Sequence, residues 1–268
     1  MSLTEVPLLT RKQYSSPSAF LPDNLLREAR RQKSVPEGRV PSICILDPDG
    51  DLVTYLRTLE RGRPCRSWPC YHTDLYEFEH EGQLYGTIGC AVGGSFAVLL
   101  AEQLFVSGCE LLISITSAGQ ITTHWDPPYF VLIESALRDE GTSYHYLPPS
   151  RYAHLNQSIR EVLVNAFDHF SPRVETGRVW TTDAPYRETE YAIGEARNEG
   201  ILAVEMEAAS LYAFAEAKKK PVVCFAHVTN QMGRIQGDFE KGGDNGCADS
   251  LRLVHHAACA WNEASTGE

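Results

Sequence analysis

Short apolar runs that stop at glycine, aspartate or hydroxyl residues alternate with stretches of helical period along most of this chain. That alternation leaves a layered α/β fold as the economical solution, because each strand and each helix stripe must bury one face against the other. Ser42–Leu46 is a buried-strand run stopped by Asp47-Pro48-Asp49-Gly50-Asp51, with a helix expected from Leu52 to Leu59. Tyr76–Phe78 and Leu84–Cys90 read as a hairpin running into Gly93-Gly94, and a helix follows from Ser95 to the stop at Gly108. Strands are expected at Leu111–Ile115, Tyr129–Ile133, Val174–Thr182, Ile201–Val204 and Pro221–Thr229. Leu155, Ile159, Val162, Leu163, Ala166 and Phe167 form one apolar face and predict a helix over Tyr152–Phe170. Further helices are expected at Glu188–Asn198, Met206–Lys218 and Ala248–Trp261. The sum is a single α/β domain over residues 41–265, a mixed central sheet with helices on both faces. Residues 1–40 are a polar, Pro-punctuated extension with one short helix at Asn24–Gln32.

The 268 residues carry 24 Lys plus Arg against 35 Asp plus Glu, a formal charge of −11. A phosphate-backbone binder needs a basic face, so nucleic acid is not an expected partner. No apolar run approaches the roughly 18 residues of a membrane span and no signal-peptide pattern opens the chain, so the expected setting is cytoplasmic, away from membranes. Among the eight cysteines, Cys44, Cys90, Cys109 and Cys224 sit in apolar stretches that read as buried strands or their flanks and are expected as reduced core thiols. No metal site is expected, since Cys65 and Cys70 lack a second ligand pair and His72, His124, His145 and His227 share no ligand spacing. Walker, dinucleotide and nucleophile-elbow motifs are missing, and cofactor-free chemistry follows.

In sheets of this kind a ligand crevice opens beyond the carboxyl ends of the strands. Gly93-Gly94 before a helix offers free N–H groups, although such a pair often marks only a tight turn. Thr116 and Ser117 add hydroxyls that could equally cap a turn. Glu205-Met206-Glu207 is more telling, because one acid suffices to favour a helix start and here two bracket a thioether. An ionised carboxylate accepts from two adjacent hydroxyls while a thioether packs on a sugar face.

The order of motifs resembles the nucleoside phosphorylase I superfamily of purine and uridine phosphorylases and related nucleosidases. The resemblance is carried by Gly200–Tyr212 with its Val204-Glu205-Met206-Glu207-Ala208-Ala209 core. Gly93-Gly94, Ser117-Ala118-Gly119, Thr181-Thr182-Asp183 with Tyr186, and Val228-Thr229-Asn230 support it. It implies a nucleoside substrate, a homo-oligomer (dimer or hexamer), and no cofactor beyond inorganic phosphate as cosubstrate. It implies ribose contacts from Met206 and Glu207, with Glu205 beside them, and Glu207 and Asn230 as the catalytic pair. Ala118, Gly119, Asp183, Tyr186, Arg187 and Asn230 would border the base. Thr116, Ser117, Gly93, Gly94, Asp47 and Asp49 would face phosphate or water.

Two departures from the resembled pattern matter. Purine-cleaving members place an aspartate where this chain has Asn230, which supplies no titratable proton; a pyrimidine such as uridine, leaving as a carbonyl-stabilised anion, is therefore favoured. Three expected phosphate-binding arginines are also replaced: the loop reads Asp47-Pro48-Asp49-Gly50, and Ser114 and Tyr76 stand at the other two positions. Phosphorolysis to base and ribose 1-phosphate is the leading expectation. Hydrolysis with an Asp-activated water, and a catalytically silent nucleoside-binding protein, stand as alternatives.

Overall fold

A computed structural model describes residues 6–233, 236 and 238–266. The N-terminal extension contributes helix α1 (Pro22–Lys33), which starts on a proline whose missing N–H costs nothing there; its first five residues lie outside the described ones. Among the described residues ten strands follow: β1 (Ile43–Asp47), β2 (Arg63–Pro64), β3 (Tyr76–His80), β4 (Gln83–Gly89), β5 (Leu111–Gln120), β6 (Tyr129–Asp139), β7 (Tyr152–His154), β8 (Val174–Thr182), β9 (Ile201–Glu205) and β10 (Val222–Asn230). Helices α2 (Asp51–Thr58), α3 (Gly94–Val106), α4 (Ser143–Tyr146), α5 (Gln157–Leu163), α6 (Glu190–Asn198), α7 (Ala208–Lys218) and α8 (Cys247–Thr266) intervene.

All ten strands join one mixed sheet in the order β10-β6-β8-β9-β5-β1-β4-β3-β2, with β7 added to β6. β10 also pairs with β5, so β5, β10, β6, β8 and β9 close into a ring, and β1, β4, β3 and β2 extend from it as an open wing. β1 is parallel to both β4 and β5, and β5 to β10, so Asp47, Gly89, Ser117 and Asn230 come out at the same end. β1 and β10 are buried at every position, as expected for strands covered on both faces.

Helix α7 fixes the site most directly. Its residues Ala208–Ala215 are all buried. The Tyr212 hydroxyl donates to the Ile133 carbonyl at 2.5 Å and accepts from the Cys224 N–H at 3.1 Å, tying the helix to β6 and β10. Across from it, α3 packs so closely that a Cβ on Gly94 would overlap the Ser210 hydroxyl and lie 2.7 Å from the Ser210 Cβ.

One expected helix is corrected. Tyr152–Phe170 divides into β7 and the shorter α5, because Tyr152–His154 pair antiparallel with Leu137–Ser135 of β6. Asn156 then caps α5 by accepting from the Ser158 N–H at 2.9 Å. The apolar face that suggested one long helix is real: Leu155, Ile159, Leu163 and Phe167 are buried. Periodicity reported burial, and strand pairing took the first turn. Cys90 is also corrected: it is exposed at φ 59° beyond β4, while Cys44, Cys109 and Cys224 are buried and all eight thiols are free.

Candidate functional site

The site gathers where β1, β5, β9 and β10 end and α3 and α7 begin. Glu205, the last residue of β9, is 3% exposed and spends both carboxylate oxygens inside the protein. Its Oε2 accepts from the N–H groups of Glu207 (2.7 Å) and Ala208 (2.8 Å), and its Oε1 from the Thr181 hydroxyl. Thr181 Oγ1 accepts in turn from the Ala209 N–H at 3.0 Å. These are N–H groups that a helix start leaves without intrahelical partners. Glu205 therefore builds the start of α7, with both oxygens already engaged by the protein.

Glu207 is freed by that arrangement. It stands at the N-cap of α7, 1% exposed, and its Oε1 accepts from the Gly93 N–H at 2.6 Å. Its Oε2 is buried and has no partner among the described residues. Burial pushes its pKa up to about 8; the nearby Glu205 and Asp49 add to this, while the Gly93 N–H opposes it. Burial likewise raises Glu205, against the bonds from Thr181, Glu207 and Ala208. Met206 lies between the two acids and is half-buried.

The glycine pair serves this carboxylate and the helix packing. Gly93 sits at φ 88°, ψ 145°, a conformation that L side chains rarely adopt, and turns its N–H onto Glu207. Gly94 provides the close α3–α7 approach. Behind them Ser210 donates to Glu140 Oε2, which also accepts from the Ser143 N–H at 2.9 Å.

On the neighbouring side the Asp-rich turn is divided by role. Asp47 is 4% exposed and accepts from the Gly50 and Val53 N–H groups at 3.2 and 3.1 Å, shaping the turn into α2. Burial, helped by Asp49 and Asp51, pushes its pKa up to about 7. Asp49 faces Ser117: Oδ2 accepts from the Ser117 N–H at 3.0 Å and Oδ1 from its hydroxyl at 2.9 Å. Lys241 Nζ lies 3.0 Å from Asp49 Oδ2 and 2.6 Å from Asp51 Oδ2. His227 lines the same cleft, stacked on Phe130 at a centroid distance of 4.4 Å. Burial and then Lys241 lower its pKa to about 4, so it is neutral at physiological pH.

Asn230 ends β10, where the ladder to β5 skips one residue between Val228 and Asn230, a bulge that re-aims the side chain. Its amide donates to the Ala118 carbonyl (3.3 Å) and Thr229 Oγ1 (3.4 Å), and its oxygen accepts from the Met232 N–H at 2.9 Å. A Cβ on Gly119 would meet Met232 Cγ at 3.1 Å and Asn230 Oδ1 at 3.3 Å, so Ala118, Gly119 and Asn230 do come together. The other proposed base wall makes no hydrogen bond with Ala118, Gly119 or Asn230 among the described residues and lies largely at the surface. Asp183 accepts from the Gly141 N–H at 2.8 Å, Tyr186 is 99% exposed and Arg187 is exposed.

Sequence reasoning missed Lys241, Asn245, Thr181 and Glu140. Lys241 and Asn245 belong to the run Lys241-Gly-Gly-Asp-Asn245-Gly ahead of the last helix, whose glycine density was the available signal. Thr181 sits in a quoted motif, but its contact with Glu205 spans 24 residues and has no spacing rule.

A family model described as the phosphorylase superfamily matches residues 42–257. A guanosine phosphorylase of Halorubrum lacusprofundi is 24% identical over 231 residues, covering 83% of this chain and 90% of that protein. A uridine phosphorylase of Thermococcus kodakarensis is 22% identical over 205 residues, 72% of each chain. Among solved structures, the uridine phosphorylase of Vibrio fischeri aligns with a TM-score of 0.67 at 19% identity, covering 82% of this chain and 91% of that one; it is a likeness of fold.

Proposed function

This chain belongs to the phosphorylase superfamily, and on that premise we propose that it cleaves the N-glycosidic bond of a nucleoside by phosphorolysis, with Glu207 gripping the ribose. The observation that carries the proposal is the Glu207 carboxylate, 1% exposed, with Oε1 on the Gly93 N–H and Oε2 without a partner among the described residues. A buried acceptor left unmade is costly, and a pair of vicinal hydroxyls satisfies it. As the C1′–N bond breaks and the pentose takes on oxocarbenium character, those hydroxyls become better donors. The grip then tightens in the transition state rather than in the ground state. Glu205 acts at one remove, holding the backbone that aims Glu207, and Met206 offers its thioether to the sugar face.

Phosphate attacks C1′ as the bonding pair withdraws into the base, giving ribose 1-phosphate and the base anion, which takes a proton from solvent to become the free base. A pyrimidine, uridine in the simplest case, suits the base side. Asn230 carries no titratable proton, its oxygen is committed to Met232, and a uracil anion needs carbonyl-directed donors rather than an acid. The uridine phosphorylases among the similar proteins support that preference, and the guanosine phosphorylase supports a purine.

Water as the acceptor is a second reading, favoured by one observation: Asp49 already fills the Ser117 donors, and the cleft beside it has about 20 Å³ of interior, close to what one water requires. Incubation of the purified protein with uridine, thymidine, inosine, guanosine and adenosine, with and without inorganic phosphate, tests all of this by chromatography of the released base. Phosphate-dependent uracil release with ribose 1-phosphate as coproduct is expected. Equal release without phosphate would replace phosphorolysis by hydrolysis, and release from purine nucleosides alone would overturn the base preference.

A further inference from the structure

The nucleoside grip leaves one partly buried cation unused. Lys241 reaches the ends of β1 and β5 from the segment ahead of α8, with its side chain only 18% exposed. Burial alone would disfavour its charge, but the bonds to Asp51 and Asp49 prevail and hold its pKa above the ordinary value. Asp51 is in turn fixed by the Asn245 amide at 3.1 Å. Gly246 lets the chain pass close by, since a Cβ there would overlap the His227 ring and lie 2.7 Å from the Lys241 carbonyl.

Asp49 therefore holds three kinds of donor at once: the Ser117 N–H, the Ser117 hydroxyl and the Lys241 ammonium. A backbone N–H, a hydroxyl and a half-buried cation converging on two carboxylate oxygens is the chemistry of an oxyanion subsite. An internal oxyanion occupies it, and the Asp49 side chain is 31% exposed, which gives it water to turn into. A phosphate dianion arriving while Asp49 remains would meet like charge at contact distance.

We propose that Lys241 is the cation that selects the cosubstrate, and that inorganic phosphate binds by exchanging with the Asp49 carboxylate on Ser117. Asp51 and Asn245 anchor the ammonium while it passes from Asp49 to the phosphate oxygens. Asp49 is thus a built-in competitor for phosphate, and Lys241 supplies charge that no strand-borne arginine provides. The inference rests on the phosphorolysis reading above.

The test is base release with phosphate titrated at fixed nucleoside in wild type, Lys241→Met and Asp49→Ala, together with calorimetric titration of inorganic phosphate alone. Lys241→Met should raise the phosphate KM about tenfold or more, the loss of one charge-assisted contact, with the nucleoside KM within about twofold of wild type. Asp49→Ala should lower the phosphate KM and tighten the calorimetric Kd. An unchanged phosphate KM and Kd in folded Lys241→Met, or a weakened Kd in Asp49→Ala, overturns the proposal. Should Lys241→Met fail to fold, the Asp49→Ala titration decides alone. Wild-type base release indifferent to phosphate also overturns it while leaving nucleoside cleavage standing; no base release from any nucleoside removes the functional reading itself.

Discussion

The Gly93 N–H donates to Glu207 Oε1 at 2.6 Å across 114 residues of sequence, joining the start of α3 to the start of α7. Two helix N-termini thereby converge on one carboxylate, and each favours its ionised form. Burial pulls the other way and raises its pKa.

Glu207→Gln is expected to keep the fold and lose activity. The amide retains an oxygen for Gly93 but cannot accept from two hydroxyls at once, and one charge-assisted bond is worth about 1.5–3 kcal/mol. kcat/KM for the cleaved nucleoside should fall by roughly 10- to 150-fold, with circular dichroism unchanged. Wild-type kcat/KM in this variant would remove Glu207 from the chemistry.

Glu205→Ala is expected to act on stability first. It strands the N–H groups of Glu207 and Ala208 and the Thr181 hydroxyl in a buried setting, at about 1–3 kcal/mol for a buried group left unmade. A lowered Tm accompanied by lost activity is expected. Undiminished Tm would show that water or a neighbour replaces the cap.

Gly94→Ala and Gly93→Ala separate packing from conformation. The first places a methyl group onto Ser210 and must push α3 from α7, at about 1–3 kcal/mol. The second meets nothing within 4 Å yet demands φ 88° of an L residue, a strain of about 1–3 kcal/mol. Both should lower Tm in thermal unfolding. A Gly93→Ala protein as stable as wild type would mean that the turn relaxes without penalty.

The buried carboxylates set a direction for stability against pH. Asp47 has its folded pKa raised to about 7. Its contribution is complete below the unfolded value near 3.8 and disappears as pH climbs through about 7. Glu205 and Glu207 have the same sign. His227, lowered to about 4, works oppositely between that pH and 6.5, where the unfolded chain takes up its proton, and is flat above. Between pH 6.5 and about 8 the carboxylates therefore act unopposed by His227, and Tm should decline. Asp47→Asn should shallow that decline by roughly 2–4 °C; parallel curves would assign the slope elsewhere.

Much of the architecture is legible in residue order because strand runs and helix stripes carry their own periods. The strand tops were legible too, since Asp47, Ser117, Glu205 and Asn230 all end apolar runs. The long helix expected over Tyr152–Phe170 was misread because a buried face is equally compatible with a strand followed by a helix. The division of labour between Glu205 and Glu207 was illegible: both acids flank one methionine, and only the turn into α7 decides which faces inward to the backbone. Lys241 was illegible for another reason. It meets Asp51 across 190 positions, and lysine in a glycine-rich stretch has no period to betray its target.

The closed ring of β5, β10, β6, β8 and β9 has a consequence for how this protein breathes. An open sheet can fray from its margin one strand at a time, but a circle of ladders offers no margin, and releasing any member means rupturing hydrogen bonds on both flanks together. Ser117, Asn230 and Glu205 ride on three members of that circle. Their backbone amides are expected to exchange with deuterium as one cooperative unit, so thermal agitation would dismantle the crevice all at once rather than loosen it by degrees.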